Sequence, residues 1–303
     1  MTNLFFLVLC LSFGVFLKKI PALSKDAHLV INNLLLYICL PAATLLYTST
    51  TQFSTQYALP ILMPWLSFGF SFFFFHLLKR FIKFHPHTEA VLILTAGIPS
   101  VSFVGFPIFE MLYGDEGMHI GVLMSQAGSF LVCSTVGIVT ASYYAHAETQ
   151  GWGFLKDVIR FPTFIAFCVA IIINLSGISV PNIAIELLRK FASPFSFLAL
   201  TSIGMQIELQ PKNINWKALV WGLGYKLILA PVLIFVLFVL VLKQRGIVVE
   251  MCVLGAALGP MNTIAVIASN YRLNPVLAAQ MVGVGIPLSL IVVALLNLII
   301  HLL

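Results

Sequence analysis

The chain reads as a succession of apolar runs separated by short polar gaps, and crossing a bilayer core takes about 20 apolar residues. On that scale the runs predict about ten spans, over 3–17, 28–49, 57–78, 89–112, 118–144, 162–177, 183–207, 216–242, 248–270 and 275–302. The first and sixth are short for a full crossing and are expected to tilt little or to sit at the periphery. Two others are interrupted near their middles. The stretch from Leu94 to Pro107 carries Gly97, Pro99, Gly105 and Pro107, and the stretch from Leu254 to Thr263 carries Gly255, Gly259 and Pro260. Proline has no N–H and collides with the carbonyl four residues back, so no helix runs undisturbed through Pro99 or Pro260. Lipid offers the freed backbone groups no partner, so such breaks belong inside protein or beside a wet cavity. Paired Gly/Pro-interrupted segments at matching places in two halves are the best pointer in a sequence to a transporter's substrate site.

The halves do match. Pro21 and Pro181 are 160 positions apart, and Glu89 with Glu250 and Pro99 with Pro260 are each 161 apart. Each half holds about five crossings, an odd number, so the second copy enters the membrane from the opposite side. The expected organisation is a first five-helix repeat over 1–145, a short cytoplasmic connection over 146–160, and an inverted second repeat over 161–303.

Composition agrees with a polytopic membrane protein. Hydrophobic residues make up 60% of the chain and charged residues 9%, against roughly 25% charge in soluble domains; the mean hydropathy is +1.06. The net charge of +6 does not point to nucleic acid, because Lys and Arg cluster at span ends. Lys18, Lys19, Lys25, Lys79, Arg80, Lys83, Lys156, Arg160, Lys212, Lys217 and Arg272 fall on one side; Lys243, Arg245, Arg189 and Lys190 fall on the other. By the positive-inside rule both termini lie outside the cytoplasm, and a cell (inner) membrane location is expected. The N-terminus lacks a charged n-region and an A-x-A-like site, so the first run reads as a retained span. Cys10, Cys39, Cys133, Cys168 and Cys252 all lie in apolar runs without C-x-x-C spacing, and read as small core residues.

Several local patterns resemble the auxin efflux carrier (PIN-FORMED-like) family, in its short bacterial form. They are Ile31-Asn32-Asn33-Leu34 leading to Leu40-Pro41, Gly105-Phe106-Pro107 followed by Tyr113-Gly114, Gly204-Met205-Gln206 leading to Gln210-Pro211-Lys212, and the run from Ala256 to Pro260 followed by Ala268-Ser269-Asn270-Tyr271. Lys226, five residues before Pro231, matches a basic residue and proline in that family's eighth span. The resemblance runs the length of the chain. It implies an all-α membrane protein of ten helices in two inverted five-helix repeats, a scaffold part and a transport part, and fourth and ninth helices that break and cross at Pro99 and Pro260. This architecture is similar to that of sodium/proton antiporters and bile acid symporters. It also implies export of organic anions, auxin in plants and small carboxylates such as malate, malonate or lactate in bacterial relatives, and it leaves a homodimer open. Two departures are notable: the long loop of plant members is absent, and Ser100 stands where the plant pattern has Asn, which argues against auxin itself.

The candidate substrate site comprises Pro99, Ser100, Ser102, Gln126, Pro260, Asn262 and Thr263. Half-helix N-termini carry unpaired N–H groups and about half a positive charge, which attract a carboxylate without a buried full charge. Helix-to-helix hydrogen bonding is the competing role for these small polar residues. Lys226 lies nine residues beyond Lys217, about 13 Å into the membrane. It is a candidate for anion pairing or proton coupling, against the alternative that its stem snorkels to the headgroups. Gly97, Gly105, Gly255 and Gly259 are expected at close approaches. Glu89 and Glu250 begin spans, where they complement the helix dipole; Glu110 and Glu208 are expected to be solvated. The seven histidines fall at or near interfaces, and His85-Pro86-His87 lacks a third metal ligand, so no metal and no cofactor is expected. Phe72 to Phe75 read as a lipid-facing or packing run. ATP-binding and hydrolase motifs do not occur, so an enzyme is not expected. The expected function is secondary transport of small organic anions by an elevator-type alternating-access motion. A sodium- or proton-coupled symporter of the bile acid type and a non-transporting membrane sensor of the same fold are the alternatives.

Overall fold

The computed structural model describes residues 2–24, 26–145, 159–206 and 215–300. The predicted connection over 146–160 falls almost wholly outside these residues, as do Lys156, Glu208, the Gln210-Pro211-Lys212 end of one motif, Lys212, His146 and His301. Among the described residues the chain is helical: α1 Thr2–Leu17, α2 Ala27–Thr50, α3 Thr55–Leu78, α4 Pro86–Gly97, α5 over 101–113, α6 over 115–145, α7 Pro162–Leu175, α8 Asn182–Ala192, α9 Phe195–Gln206, α10 Trp216–Val241, α11 Ile247–Ala256, α12 Thr263–Asn270 and α13 Pro275–Ile300. The division between α5 and α6 falls at Gly114, whose φ of 60° and ψ of −141° only glycine adopts at ease. Five helical stretches are long and apolar enough to cross a membrane, Ala27–Thr50, Thr55–Leu78, Val101–Ala145 (α5 with α6), Trp216–Val241 and Pro275–Ile300, and shorter apolar helices accompany them. This is a multi-pass membrane protein.

Three long helices contain a widened π turn just ahead of a proline: Leu35–Cys39 before Pro41, Val101–Gly105 before Pro107 and Tyr225–Leu229 before Pro231. In each, the carbonyl that the proline ring would strike lies inside the wide turn. The extra residue relieves that clash and keeps the helix going. One predicted span is divided differently from expectation. The run 183–207 is two helices, α8 and α9, parted at Ser193-Pro194. The reason is in the residues: α8 is amphipathic, with Glu186, Arg189 and Lys190 on one face, and Pro194 cannot donate to continue it.

Interhelical bonds sort the helices into two groups. In the first, α1 crosses α9 where Gly14 meets Gly204. A Cβ on Gly14 would lie 2.1 Å from the Thr201 carbonyl oxygen, and one on Gly204 would lie 2.3 Å from that of Leu11. Ser202 donates to Asn32 at 2.6 Å, and Thr163 donates to the Leu36 carbonyl at 3.1 Å. Asn174 donates its amide toward the carbonyls of Thr48, Ser49 and Thr51 at 2.7–3.2 Å, closing the end of α2 where lipid could not. α1, α2, α7, α8 and α9 thus pack together. In the second group, Ser71 donates to the Ile93 carbonyl, Trp65 to that of Ala127 and Tyr225 to that of Ser67, tying α3, α4, α6 and α10, on which α11, α12 and α13 pack.

Polar contacts between the groups gather around the α5–α6 turn, while an apolar core runs across both. Asp115 accepts from Arg189 at 3.0 Å and from Tyr47 at 3.3 Å, His119 Nδ1 lies 2.8 Å from the Tyr47 carbonyl oxygen, and Ser196 donates to Glu110. Glu110 is therefore not a freely solvated carboxylate, because α9 brings a hydroxyl onto it. The expectation that all five cysteines are core residues also needs correction. Cys10, Cys39, Cys133 and Cys252 are buried, but Cys168 is exposed, because α7 turns Thr163, Ala166 and Ala170 inward and leaves Cys168 on the opposite face.

At the α1–α9 crossing, backbone sits where a side chain would have to go. Gly204→Leu is expected to denature at clearly lower temperature than wild type in detergent, since overpacking against backbone costs about 1–3 kcal/mol or more. Gly69→Ala, where a Cβ meets nothing within 4 Å, is expected to match wild type in the same thermal melt.

Candidate functional site

α4 ends at Gly97, and the next residue, Ile98, is extended (φ −107°, ψ 109°). That is the conformation forced on a residue that precedes proline. In the second break α11 ends at Ala256, and α12 begins only at Thr263. The two breaks meet each other. Pro99 lies opposite Pro260 in an isolated antiparallel bridge; Ser100 N–H donates to the Gly259 carbonyl at 2.9 Å, and Met261 N–H donates to the Ile98 carbonyl at 3.1 Å. Each break therefore supplies one donor and one acceptor to the other, and four backbone groups that would be orphaned in hydrocarbon are satisfied.

Small residues allow the approach. A Cβ on Gly259 would fall 2.8 Å from the backbone of Ile286, one on Gly285 would fall 2.8 Å from both Pro260 and Leu223, and one on Gly105 would fall 2.8 Å from Leu258. A Cβ on Gly97 would fall 3.0 Å from Phe68, and one on Gly255 would fall 2.7 Å from Met124 and 2.8 Å from Met63. α13 thus braces the crossing from behind.

Beyond the crossing the chain restarts as helix twice. Ser100 precedes α5 and Asn262 precedes α12, and neither side chain caps its own helix. The first N–H groups of each restarted helix have no partner within it. Val104 and Gly105 both donate to the Ser100 carbonyl at 3.2 Å. Ser100 itself is buried, whereas Ser102, Phe103, Met261, Asn262 and Thr263 are half-buried. Asn262 Oδ1 is buried without a hydrogen-bond partner among the described residues. The structure thus brings Pro99, Ser100 and Ser102 together with Pro260, Asn262 and Thr263. Gln126 is buried in the π-helical segment Met124–Phe130, which packs against 101–105. Its Nε2 lies 3.4 Å from Ser125 Oγ, and its Oε1 has no partner among the described residues.

Lys226 is fully buried, and its Nζ has no hydrogen-bond partner among the described residues. The snorkelling alternative is therefore excluded. The face of α10 that carries it is locatable from its neighbours: a Cβ on Gly222 would touch Leu92 and Met281, and Leu223 reaches Gly285 beside Pro260. Residues three and four apart share a helix face, so Lys226 stands one turn along from both, about 5 Å of rise from the residue that contacts the crossing's brace.

Three polar pairings on the helices that lead into the crossing have no signature in the sequence. Glu89 begins α4 as expected, yet it is buried, lies 3.2 Å from Lys79 Nζ and 3.6 Å from His76 Nδ1, and accepts from Tyr144 at 2.8 Å. Glu250, its counterpart in α11, accepts from Tyr113 at 3.2 Å. Asn274 donates to Thr88 at 3.2 Å, fixing the base of α4 to the start of α13. The 161-residue spacing singled out both glutamates, but the partners come from helices 55 and 137 residues away.

A family model described as membrane transport protein matches residues 1–151. Over those residues, just under half its length, the chain matches this family. It is the family that the auxin efflux carrier resemblance pointed to. The transporter is similar, at 24% identity over 300 residues and 95% of both chains, to an uncharacterized transporter of Methanocaldococcus jannaschii. It is also similar to the uncharacterized transporter YfdV of Escherichia coli, at 24% identity over 276 residues, which are 88% of this chain and 86% of the relative. A third relative, an uncharacterized transporter of Methanothermobacter thermautotrophicus, is 23% identical over 200 residues, 66% of this chain and 64% of its own.

The brace behind the crossing is open to a direct check. Gly259→Val places two methyl groups against the Ile286 backbone and is expected to push α13 off the crossing. Purified protein should show a lower melting temperature and transport reduced at least about tenfold, because a shift on the order of 1 Å at a positioned site costs about 100-fold.

Proposed function

We propose that this transporter is a secondary exporter of small organic anions, carboxylates above all, and that the anion binds at the Pro99–Pro260 crossing. The observation that carries the reading is the reciprocal pairing of two broken helices whose restarted N-termini carry Ser100, Ser102, Asn262 and Thr263. N–H groups at such termini favour an anion and, having no net charge, also let it go. Gln126 adds an amide, and Lys226 adds a basic group one helical turn from Leu223, which packs on Gly285 beside Pro260. In this reading the chain holds two inverted five-helix repeats, 1–145 and 161–303, joined by 146–160. The group α1, α2, α7, α8 and α9 serves as scaffold, and the remaining helices move against it as an elevator. The protein resides in the cell membrane with both termini outside, acts as a carrier and not as an enzyme, and needs no cofactor.

One observation favours a second reading. Asn262 Oδ1 and Gln126 Oε1 are acceptors without partners, which also suits a coupled cation such as sodium.

The test is uptake and counterflow of labelled lactate, malate and malonate in proteoliposomes, with sodium gradients imposed separately. Saturable flux should fall about 10- to 100-fold in Ser100→Ala and in Asn262→Ala, the size of one lost hydrogen bond to a charged group. Flux that survives both substitutions places the site elsewhere, and flux that requires sodium selects the second reading.

A further inference from the structure

Lys226 is the ionisable group that the packing around the crossing leaves unexplained. Its side chain is 0% exposed, and Nζ meets no acceptor among the described residues. An ammonium buried without a counter-charge or hydrogen bonds is among the costliest arrangements in a protein, and such a group sheds its proton instead. The surrounding titratable groups do not serve as its partner. On α4, Glu89 is engaged by Lys79 and Tyr144, with His76 of α3 beside it, and His87 stands at the exposed start of the helix. On α11, Glu250 accepts from Tyr113. On its own helix, Tyr225 donates to the Ser67 carbonyl, and Lys217 lies more than two turns away toward the helix start. α12 and α13 bring no acidic or basic side chain.

We propose that Lys226 is the proton site of the transport cycle: neutral in the empty carrier, protonated only while a carboxylate occupies the crossing, so that each anion crosses with one proton. The step balances. A carboxylate and one proton enter from water on the loading side; the amine takes the proton, and the ammonium and carboxylate pair. On the far side both leave to water and the neutral amine returns. The loaded site then carries one negative charge fewer than the free anion, and the empty site carries none. With a monocarboxylate, neither form drags an unpaired charge through the membrane. A monocarboxylate moves without net charge, and a dicarboxylate dianion moves with one. Direction follows the combined gradients of anion and proton. This inference rests on the carboxylate reading of the crossing.

The experiment uses the full-length protein in proteoliposomes holding pyranine as an internal pH reporter, with valinomycin and potassium to set the potential, and labelled lactate and malonate as probes. For wild type, lactate flux should be unchanged by potential and accompanied by one proton per lactate, whereas malonate flux should respond to potential. Lys226→Arg keeps a permanent charge. It should retain lactate counterflow within about threefold, because the loaded carrier still exchanges, while net lactate efflux falls at least about tenfold, because the empty carrier cannot return. Lys226→Met should move no protons, and any lactate it carries should respond to potential. Wild-type lactate flux that follows potential without a pyranine signal overturns the proton role and leaves the carboxylate site standing. So does Lys226→Met flux that still brings a proton with each lactate. Absence of wild-type flux with every carboxylate overturns the carboxylate reading and this inference with it. The wild-type and Met measurements decide the question even if the Arg variant does not fold.

Discussion

The rest of the molecule is arranged around a problem of backbone hydrogen bonding in hydrocarbon. Pro99 and Pro260 stop two helices in mid-course, and each stop frees N–H and C=O groups that lipid cannot satisfy. The solution is mutual: Ser100 N–H to Gly259, and Met261 N–H to Ile98. Neither break is tolerable without the other, so the two segments, 161 residues apart in the chain, must arrive together. That requirement explains the small residues around them. Gly259 lets Ile286 stand against the crossing and Gly285 lets Pro260 and Leu223 close over it, so α13 and α10 are held to the same point.

Polar groups elsewhere in the interior follow the same logic. Asn174 closes the end of α2, Tyr144 and Lys79 close on Glu89, and Tyr113 closes on Glu250. Each pairing gives a buried or half-buried acceptor its donor and ties two or more helices together. They fall into two helix groups with a seam marked by Asp115, Arg189, Tyr47 and Ser196 near the α5–α6 turn. Within each group the bonds are buried or half-buried and the helices interlock through glycine. At the seam the Asp115–Arg189 pair is more than half exposed, the kind of contact that forms and breaks at small net cost. Apolar packing joins the two groups as well, since one buried core holds Leu35, Cys39 and Phe195 together with Val104, Phe106 and Met251.

The orphaned atoms are informative in the opposite sense. Asn262 Oδ1, Gln126 Oε1 and Lys226 Nζ are buried without partners among the described residues, whereas the two proline breaks pair their backbone with each other. A site that must bind and release keeps some of its polar capacity unspent in the empty state. Lys226 is the extreme case, since its side chain is 0% exposed and its Nζ meets no acceptor among the described residues.

Much of this was legible in the residues alone. Apolar run length announced the helices, because thickness of hydrocarbon sets how many residues a span needs. Gly97, Pro99, Gly259 and Pro260 announced the breaks, because proline chemistry is local and does not depend on the fold. The 161-residue register between the two prolines named the pair that would matter. Other features were beyond a linear reading. The division of 183–207 at Pro194 was hidden within a run of the right length. Cys168 looked like a core residue until the face of α7 was known, Glu110 looked solvated until α9 brought Ser196 to it, and the partners of Glu89 came from helices that only packing could deliver. Whether Lys226 snorkels or stays buried depends on which face of α10 meets Leu92, Met281 and Gly285. The sequence by itself determined where the chain must be helix and where it must break, since those depend on single residues and their immediate neighbours. Tertiary structure alone decided which broken ends satisfy each other and which charge is left without a partner, because hydrogen bonds and burial between distant segments exist only once the helices have packed.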